Sequence, residues 1–242
     1  MKLDGIKALI FDMGGTLYRP VSDMCSLTRD FLEEKEVGES KDFPDSVIIS
    51  AIQEPDAWLS QYMVEHNVDP HWRPENEHWI EYDRLLLKTL GIDNLEAVHQ
   101  YQARWDTFVG SAEPEIIEGC KTELERLHTQ GFKLGIASNR FSNPAHILER
   151  DSIHHLFKAV EYTNVPGYRK PSPYMLLRVA EQLGVNPRRC GYVGNIVEYD
   201  VIAAERAGMI PFLLTWIDPD EIHKIATDVV VIEHLADLSE IL

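Results

Sequence analysis

Residues 6–17 read Ile-Lys-Ala-Leu-Ile-Phe-Asp-Met-Gly-Gly-Thr-Leu. The first half of this stretch is a short apolar run, which predicts a buried β-strand. The run ends at the carboxylate of Asp12, and the glycines that follow permit a tight turn and a close approach of the backbone to an anion. A carboxylate at the carboxyl end of a buried strand is typical of ligand sites in open α/β sheets, but capping of the next turn explains Asp12 equally well.

Further apolar runs recur in the second half of the chain, at residues 132–137, 159–162, 190–193, 211–214 and 229–232. Stretches with helical periodicity lie between the runs, at residues 114–129, 144–151, 172–183 and 198–207. Because strands and helices alternate, we predict an α/β fold with a doubly wound parallel sheet of the Rossmann type.

Residues 18–112 break this alternation and predict an inserted helical domain. Amphipathic stretches at residues 28–36, 58–66, 76–90 and 95–109 predict helices, and we expect Pro44, Pro55, Pro70 and Pro74 to separate them. The predicted domains are therefore a core of residues 1–17 and 113–242 and a helical domain of residues 18–112. The helical block is rich in aromatic residues, which favours packing between helices and leaves an aromatic pocket as the alternative: Trp58, Trp72, Trp79, Trp105, Tyr62, Tyr82 and Tyr101.

Charge and composition limit the partners. A net charge of −17 disfavours nucleic acid and anionic membranes, so we expect a small-molecule substrate, and an anionic substrate then needs a local positive site. We find no apolar stretch long enough to span a membrane and no signal-peptide pattern. The three cysteines lack metal-ligand spacing and fit a reducing compartment, which predicts a cytoplasmic protein.

Three more signals lie at or just beyond predicted strand ends. They are Ser138 and Asn139 after the second strand, Arg169 and Lys170 directly before a proline-rich helix start, and the stretch Gly194-Asn195-Ile196-Val197-Glu198-Tyr199-Asp200. Each alone is explained by a turn, a solvated lysine or a helix cap. Together with Asp12 they predict one site, because the carboxyl ends of parallel strands share an edge of the sheet.

The order Asp-x-x-Gly-Thr-Leu, Ser-Asn, Lys-Pro and Gly-Asn-x-x-x-x-Asp, followed by Ala-Gly-Met at residues 207–209, resembles the four motifs of the haloacid dehalogenase-like (HAD) hydrolase superfamily. Residues 18–112 lie where members of that superfamily with a helical cap carry it. The resemblance implies that Asp12 is a nucleophile that forms a covalent aspartyl intermediate. It further implies that Ser138 binds the transferred group and that Lys170 neutralises charge, with substrate contacts from Gly15, Thr16, Asn139 and Arg169.

The resemblance also implies a Mg²⁺ ion bound by Asp12, the main-chain carbonyl of Gly14, Asn195 and Asp200. Two of these positions depart from the phosphatase pattern. Gly14 replaces a second aspartate that protonates the leaving alcohol, and Asn195 replaces an acidic metal ligand. We therefore expect weaker metal binding and slower cleavage of esters with poor leaving groups.

These departures leave several functions open. We predict a Mg²⁺-dependent phosphatase of a small phosphorylated metabolite. A 2-haloacid dehalogenase is one alternative, since that branch works without metal. A phosphonate hydrolase is another and would need a lysine of the inserted domain, for which Lys35, Lys41 and Lys88 are available. A non-catalytic binding protein that retains the fold is the third.

Overall fold

The computed structural model describes residues 5–19, 24–111, 114–226 and 228–242. The chain divides into two compact units, Met1–Pro20 with Pro114–Leu242, and Val21–Glu113. The first unit compares with the predicted core domain and the second with the predicted helical domain. The first boundary falls after residue 20 instead of residue 17, and the second falls after residue 113 instead of residue 112.

A six-stranded parallel sheet forms the centre of the first unit, in the order β3-β2-β1-β4-β5-β6. The predicted α/β fold is therefore confirmed. The strands are β1 (Ala8–Phe11), β2 (Lys133–Ser138), β3 (Phe157–Tyr162), β4 (Cys190–Gly194), β5 (Ile210–Leu214) and β6 (Val230–Ile232). Chain order reverses between β1 and β4, and the crevice at such a reversal is where open α/β sheets bind ligands.

Helices cover both faces of the sheet because the central strand is apolar on both sides. Leu9 and Phe11 of β1 join one buried cluster, and Ala8 and Ile10 join the cluster on the opposite face. The helices of this unit are α5 (Cys120–Thr129), α6 (Ala145–Arg150), α7 (Tyr174–Leu183), α8 (Ile202–Ala207) and α9 (Leu238–Ile241).

Two predicted helices of the core begin later than expected. Helix α5 begins at Cys120 instead of residue 114, because Ile116 pairs with Tyr18 in an antiparallel bridge and is extended. The predicted helix 198–207 opens with a π-helical turn, Val197–Val201, and becomes an α-helix only at Ile202.

The second unit is helical, with α1 (Met24–Glu34), α2 (Asp45–Glu65), α3 (Asn76–Thr89) and α4 (Leu95–Ser111). The prediction that Pro55 ends a helix is wrong, since Pro55 lies inside α2. Buried Ile48, Ala51, Pro55 and Leu59 recur at helical spacing, so packing along one face offsets the hydrogen bond that proline removes. Within the described residues, no helix combines the length and the apolarity that crossing a membrane requires.

The chain leaves and re-enters the core unit at one place. The Arg19 N–H donates to the Glu115 carbonyl at 2.8 Å, and the Ile117 N–H donates to the Leu17 carbonyl at 2.9 Å. The segments on either side of the helical unit are therefore joined by an isolated antiparallel bridge within the core.

Candidate active site

Asp12 is the residue that directly follows β1, next to the reversal of strand order. Its N–H donates to the Val193 carbonyl of β4 at 2.9 Å, so its backbone is fixed between the two central strands. Its side chain is only 11% exposed. The predicted strand end therefore presents a carboxylate in the crevice of the sheet.

The Lys170 ammonium lies beside Asp12 and is surrounded by oxygen atoms. Lys170 Nζ is 2.8 Å from Asp12 Oδ1, 2.6 Å from Asp200 Oδ1 and 2.9 Å from the Tyr192 hydroxyl. An ammonium has three N–H groups, so these three partners use its full donor capacity. The structure thus brings three of the predicted site residues together, Asp12, Lys170 and Asp200.

The charge state of this cluster follows from its burial. Burial alone would lower the pKa of the Lys170 ammonium, but the carboxylates of Asp12 and Asp200 outweigh burial and raise that pKa. Burial and the Asp200 carboxylate raise the pKa of the Tyr192 phenol well above its usual value. Lys170 is therefore a cation between two carboxylates, and Tyr192 is a neutral hydroxyl that donates to the Ala137 carbonyl at 2.8 Å.

Asp200 uses both of its carboxylate oxygens within the protein. Oδ1 pairs with Lys170, and Oδ2 accepts the N–H groups of Asn195 at 2.9 Å and Ile196 at 3.0 Å. Gly194 makes this possible, because a Cβ there would lie 2.3 Å from Asp200 Cγ. Metal ligation by Asp200 stays a prediction, and its contacts support the positioning of Lys170.

The residues predicted to flank Lys170 in the substrate site have protein partners. Asn139 bonds to both main-chain polar groups of Lys170, and the Arg169 guanidinium donates to the Asn164 carbonyl at 3.5 Å. Direct substrate contact by Asn139 and Arg169 therefore stays a prediction, and Asn139 positions Lys170.

The turn after Asp12 is fixed by bonds from distant segments. Gly15 has a φ of +79°, and a Cβ there would lie 2.5 Å from Asn195 Nδ2, so both conformation and space require glycine. The Thr16 hydroxyl is fully buried and donates to Asn195 Oδ1 at 3.2 Å. Trp216 Nε1 donates to the Gly15 carbonyl at 2.7 Å. Substrate contact by Gly15 or Thr16 is not tested by these bonds.

The predicted metal ligands are chemically suited to Mg²⁺. The predicted ligands are oxygen atoms, as Mg²⁺ prefers, and the Asn195 amide packs against the turn that follows Asp12. Among the described residues, no group of three or more His, Cys, Asp or Glu side chains could bind a metal ion. A metal here would depend on the Gly14 carbonyl and the Asn195 amide in addition to the carboxylates of Asp12 and Asp200.

Two further residues lie near Asp12 at this edge of the sheet. Ser138 ends β2, the strand next to β1, and is 5% exposed. Arg140 is half-buried, and its Nη1 contacts Met13 Sδ at 3.5 Å, one residue from Asp12. Arg140 Nε is buried without a hydrogen-bond partner in the described part of the chain.

Sequence reasoning missed three residues that support the site: Tyr192, Trp216 and Glu221. The carboxylate of Glu221 accepts the Val197 N–H at 2.8 Å, at the start of the π-helical turn that carries Asp200. The only signal for Tyr192 was a hydroxyl inside a buried strand, which requires a partner. Nothing in the local pattern around Trp216 or Glu221 indicated their roles.

Comparison with known proteins decides the family. Residues 6–208 match the haloacid dehalogenase-like hydrolases. The chain belongs to this family. This HAD-like hydrolase is 30% identical over 213 residues to a glyceraldehyde 3-phosphate phosphatase of Methanopyrus kandleri, a match that covers 85% of the chain and 82% of that relative.

A second relative matches over a shorter stretch. The glyceraldehyde 3-phosphate phosphatase of Methanothermobacter thermautotrophicus is 33% identical over 121 residues, which is 48% of the HAD-like hydrolase and 54% of the relative. The chain thus matches only about half the length of that protein. The crystal structure of a predicted phosphoglycolate phosphatase from Haemophilus somnus 129PT shares the fold, with a TM-score of 0.65 at 18% identity over 99% of both chains.

Proposed function

We propose that this hydrolase is a Mg²⁺-dependent phosphatase that removes phosphate from a small metabolite through an aspartyl-phosphate on Asp12. The observation that carries the proposal is the environment of that carboxylate. Lys170 pairs with Asp12 Oδ1 at 2.8 Å, while no described residue bonds to Oδ2. One oxygen is thus oriented by a cation, and the other is available for attack on phosphorus.

In the proposed reaction Asp12 Oδ2 forms a bond to phosphorus as the bond from phosphorus to the ester oxygen breaks. The departing alkoxide takes a proton from water, because Gly14 has no acidic side chain. A second water then attacks the aspartyl-phosphate, which releases orthophosphate and restores Asp12. Lys170 and Ser138 stabilise the negative charge on the transferred group, and a bound Mg²⁺ would neutralise phosphoryl oxygens.

The environment of Arg140 favours a negatively charged substrate. Its buried Nε has no described partner, and a guanidinium binds phosphate and carboxylate groups with paired N–H donors. Burial lowers the pKa of Arg140, whereas the Asp12 carboxylate opposes that change. We propose that Arg140 contacts the substrate, whose class is the small phosphorylated metabolites for which the relatives are named.

One assay panel tests the proposal. Phosphate esters and 2-haloacids are incubated with the enzyme in Mg²⁺ and in chelator, and released phosphate and halide are measured. We expect phosphate release in Mg²⁺ and a ³²P-labelled, acid-stable protein after quenching. Halide release without phosphate release would identify a dehalogenase, and no release of either would support a binding protein; both outcomes contradict the proposal.

Matched variants assign the nucleophile. Asp12→Asn should reduce turnover below roughly 10⁻³ of the parent rate and abolish the labelled intermediate, because an amide cannot form it. Asp228→Asn changes an exposed acid of the same unit and should leave both unchanged. Lys170→Met tests whether turnover requires the positive charge beside Asp12, and Lys158→Met, at an exposed position of β3, is its control. Parent-like rates for Asp12→Asn would remove Asp12 as the nucleophile.

A further inference from the structure

The helical unit contains a cavity of about 360 Å³ that the proposed chemistry does not use. Its walls come mainly from α3 and α4, with aromatic and acidic side chains: Trp79, Tyr82, Asp83, Tyr101, Trp105 and Asp106. Both sequence-based alternatives for the aromatic residues therefore occur. Trp58, Tyr62 and Trp72 pack against one another, whereas Trp79, Tyr82, Tyr101 and Trp105 surround a space.

Asp83 is the unusual member of this wall. It is 7% exposed, and its carboxylate has no hydrogen bond and no ion pair within residues 24–111 or elsewhere in the described chain. Neighbouring polar groups do have partners, since the Tyr82 hydroxyl donates to Asp56 at 2.7 Å and the Gln102 amide donates to Asn76 at 2.8 Å. The Asp83 carboxylate oxygens are not fully enclosed by protein and open to the cavity, where a cationic ligand can pair with them.

The charges of the residues that line the cavity indicate whether its ligand is positive or negative. Asp106 adds a second carboxylate, and none of the described residues that line the cavity is basic. Burial, with a smaller effect from Asp106, raises the pKa of Asp83 to about 7, so the carboxylate lacks a stabilising cation. The cavity is thus complementary to a positive group.

The aromatic rings indicate the kind of cation. Trp79 and Tyr82 lie with ring centroids 5.7 Å apart at 71°, and the faces of Trp and Tyr attract organic cations. Mg²⁺ and Ca²⁺ instead take about six or more oxygen ligands. Two carboxylates among aromatic rings do not provide them, which favours an organic cation over a metal ion.

We propose that this cavity binds a small organic ammonium ion, which pairs with Asp83 and contacts the faces of Trp79, Tyr82 and Trp105. The volume is in the range of small-ligand pockets. The proposal concerns the helical unit alone, and it does not depend on the proposed phosphatase activity.

The test measures binding of choline and ethanolamine to the full chain by calorimetry, without a phosphate ester. The neutral control is 3,3-dimethylbutan-1-ol, which has the shape of choline without its charge. We expect saturable binding of at least one cation, with an affinity about tenfold or more above that of the neutral alcohol. No binding of either cation, or equal binding of the alcohol, overturns the proposal.

Variants then place the ligand. Asp83→Asn keeps the size of the side chain and should reduce the affinity about tenfold or more, whereas Asp93→Asn, at an exposed acid outside the cavity wall, should not. If Asp83→Asn fails to fold, as judged by circular dichroism, Trp79→Leu serves as the second variant with the same expected loss. Asp12→Asn should bind the cation like the parent, which separates this test from that of the phosphatase. Unchanged affinity in a folded Asp83→Asn or Trp79→Leu protein contradicts the proposal.

Discussion

Asn139 bonds to both main-chain polar groups of Lys170: its Oδ1 accepts the Lys170 N–H at 2.7 Å, and its Nδ2 donates to the Lys170 carbonyl at 3.1 Å. Because the Lys170 ammonium contacts Asp12, an amide just beyond β2 positions the cation that lies beside Asp12, the residue after β1. The effect of Asn139 on catalysis should therefore pass through Lys170.

We expect Asn139→Ala to lower kcat by roughly 10- to 100-fold with a smaller effect on KM, because small displacements of a catalytic group have effects of this size. The measurement is a double-mutant cycle with Lys170→Met. Asn139→Ala should lower the rate of the Lys170→Met enzyme by less than about threefold. Fully additive effects would show that Asn139 acts independently, for example by direct contact with substrate.

Gly14 has room for the acid that it replaces. Its φ is not in the left-handed region, and a Cβ would meet nothing within 4 Å. We expect Gly14→Asp to raise kcat/KM for alkyl phosphates by about 10²-fold, with little change for an acyl phosphate, because only the poor leaving group requires a proton. Gly14→Asn is the control of equal size. Equal gains with both variants, or equal gains on both substrates, would exclude a general-acid role.

Asn195→Asp should strengthen Mg²⁺ binding. The substitution keeps an oxygen that accepts from Thr16 and adds a carboxylate beside Asp12, which we expect to lower the half-saturating Mg²⁺ concentration about tenfold. The measurement is activity, and separately calorimetry, as a function of Mg²⁺. Asn186→Asp adds the same charge at the amino end of β4, on the opposite edge of the sheet, and should have no such effect.

Asp83 predicts a pH-dependent stability. Its pKa is about 7 in the folded protein and near the usual 3.8 in the unfolded chain. Between pH 3.8 and pH 7, the folded protein therefore retains a proton on Asp83 that the unfolded chain has lost. Stability from this group is complete below about pH 4 and is lost as pH rises through 7. Asp106, Tyr82 and Tyr101 are the other ionisable groups near it, and none of them is a cation.

Asp83→Asn should therefore be more stable than the parent at pH 8 by up to roughly 4 kcal/mol, and the difference should shrink towards zero at pH 4.5. The measurement is the midpoint of thermal or urea unfolding of both proteins across this range, without organic cations in the buffer. Asp93→Asn is the exposed control. A difference that is the same at every pH would show that the Asp83 carboxyl is not shifted by burial.

The strands could be predicted, and the candidate site residues recognised, because their signals are local. Each strand is a short apolar run, and Asp12 and Ser138 stand where such runs end. The partners of those groups could not be predicted in this way. The bond from Trp216 to Gly15 joins residues separated by 201 positions, and no short pattern carries that information.

Pro55 and Asp200 show two further limits of sequence-based prediction. Pro55 was expected to end a helix from its intrinsic preference, but tertiary packing of the buried face of α2 outweighs that preference. Asp200 was identified by the resemblance of residues 194–200 to a family motif, but a motif does not determine which atoms a carboxylate contacts. The structure shows those contacts to be Lys170 and two backbone N–H groups.

The antiparallel pairing of Tyr18 with Ile116 holds together the two ends of the core between which the helical unit is inserted. The backbone positions that flank the insertion are already neighbours, bonded from Arg19 to Glu115 at 2.8 Å, so a short turn could join them without disturbing the sheet. The insertion is therefore modular. Its length and sequence can diverge, or be exchanged with those of another protein, while the strands that carry the candidate site residues keep their register.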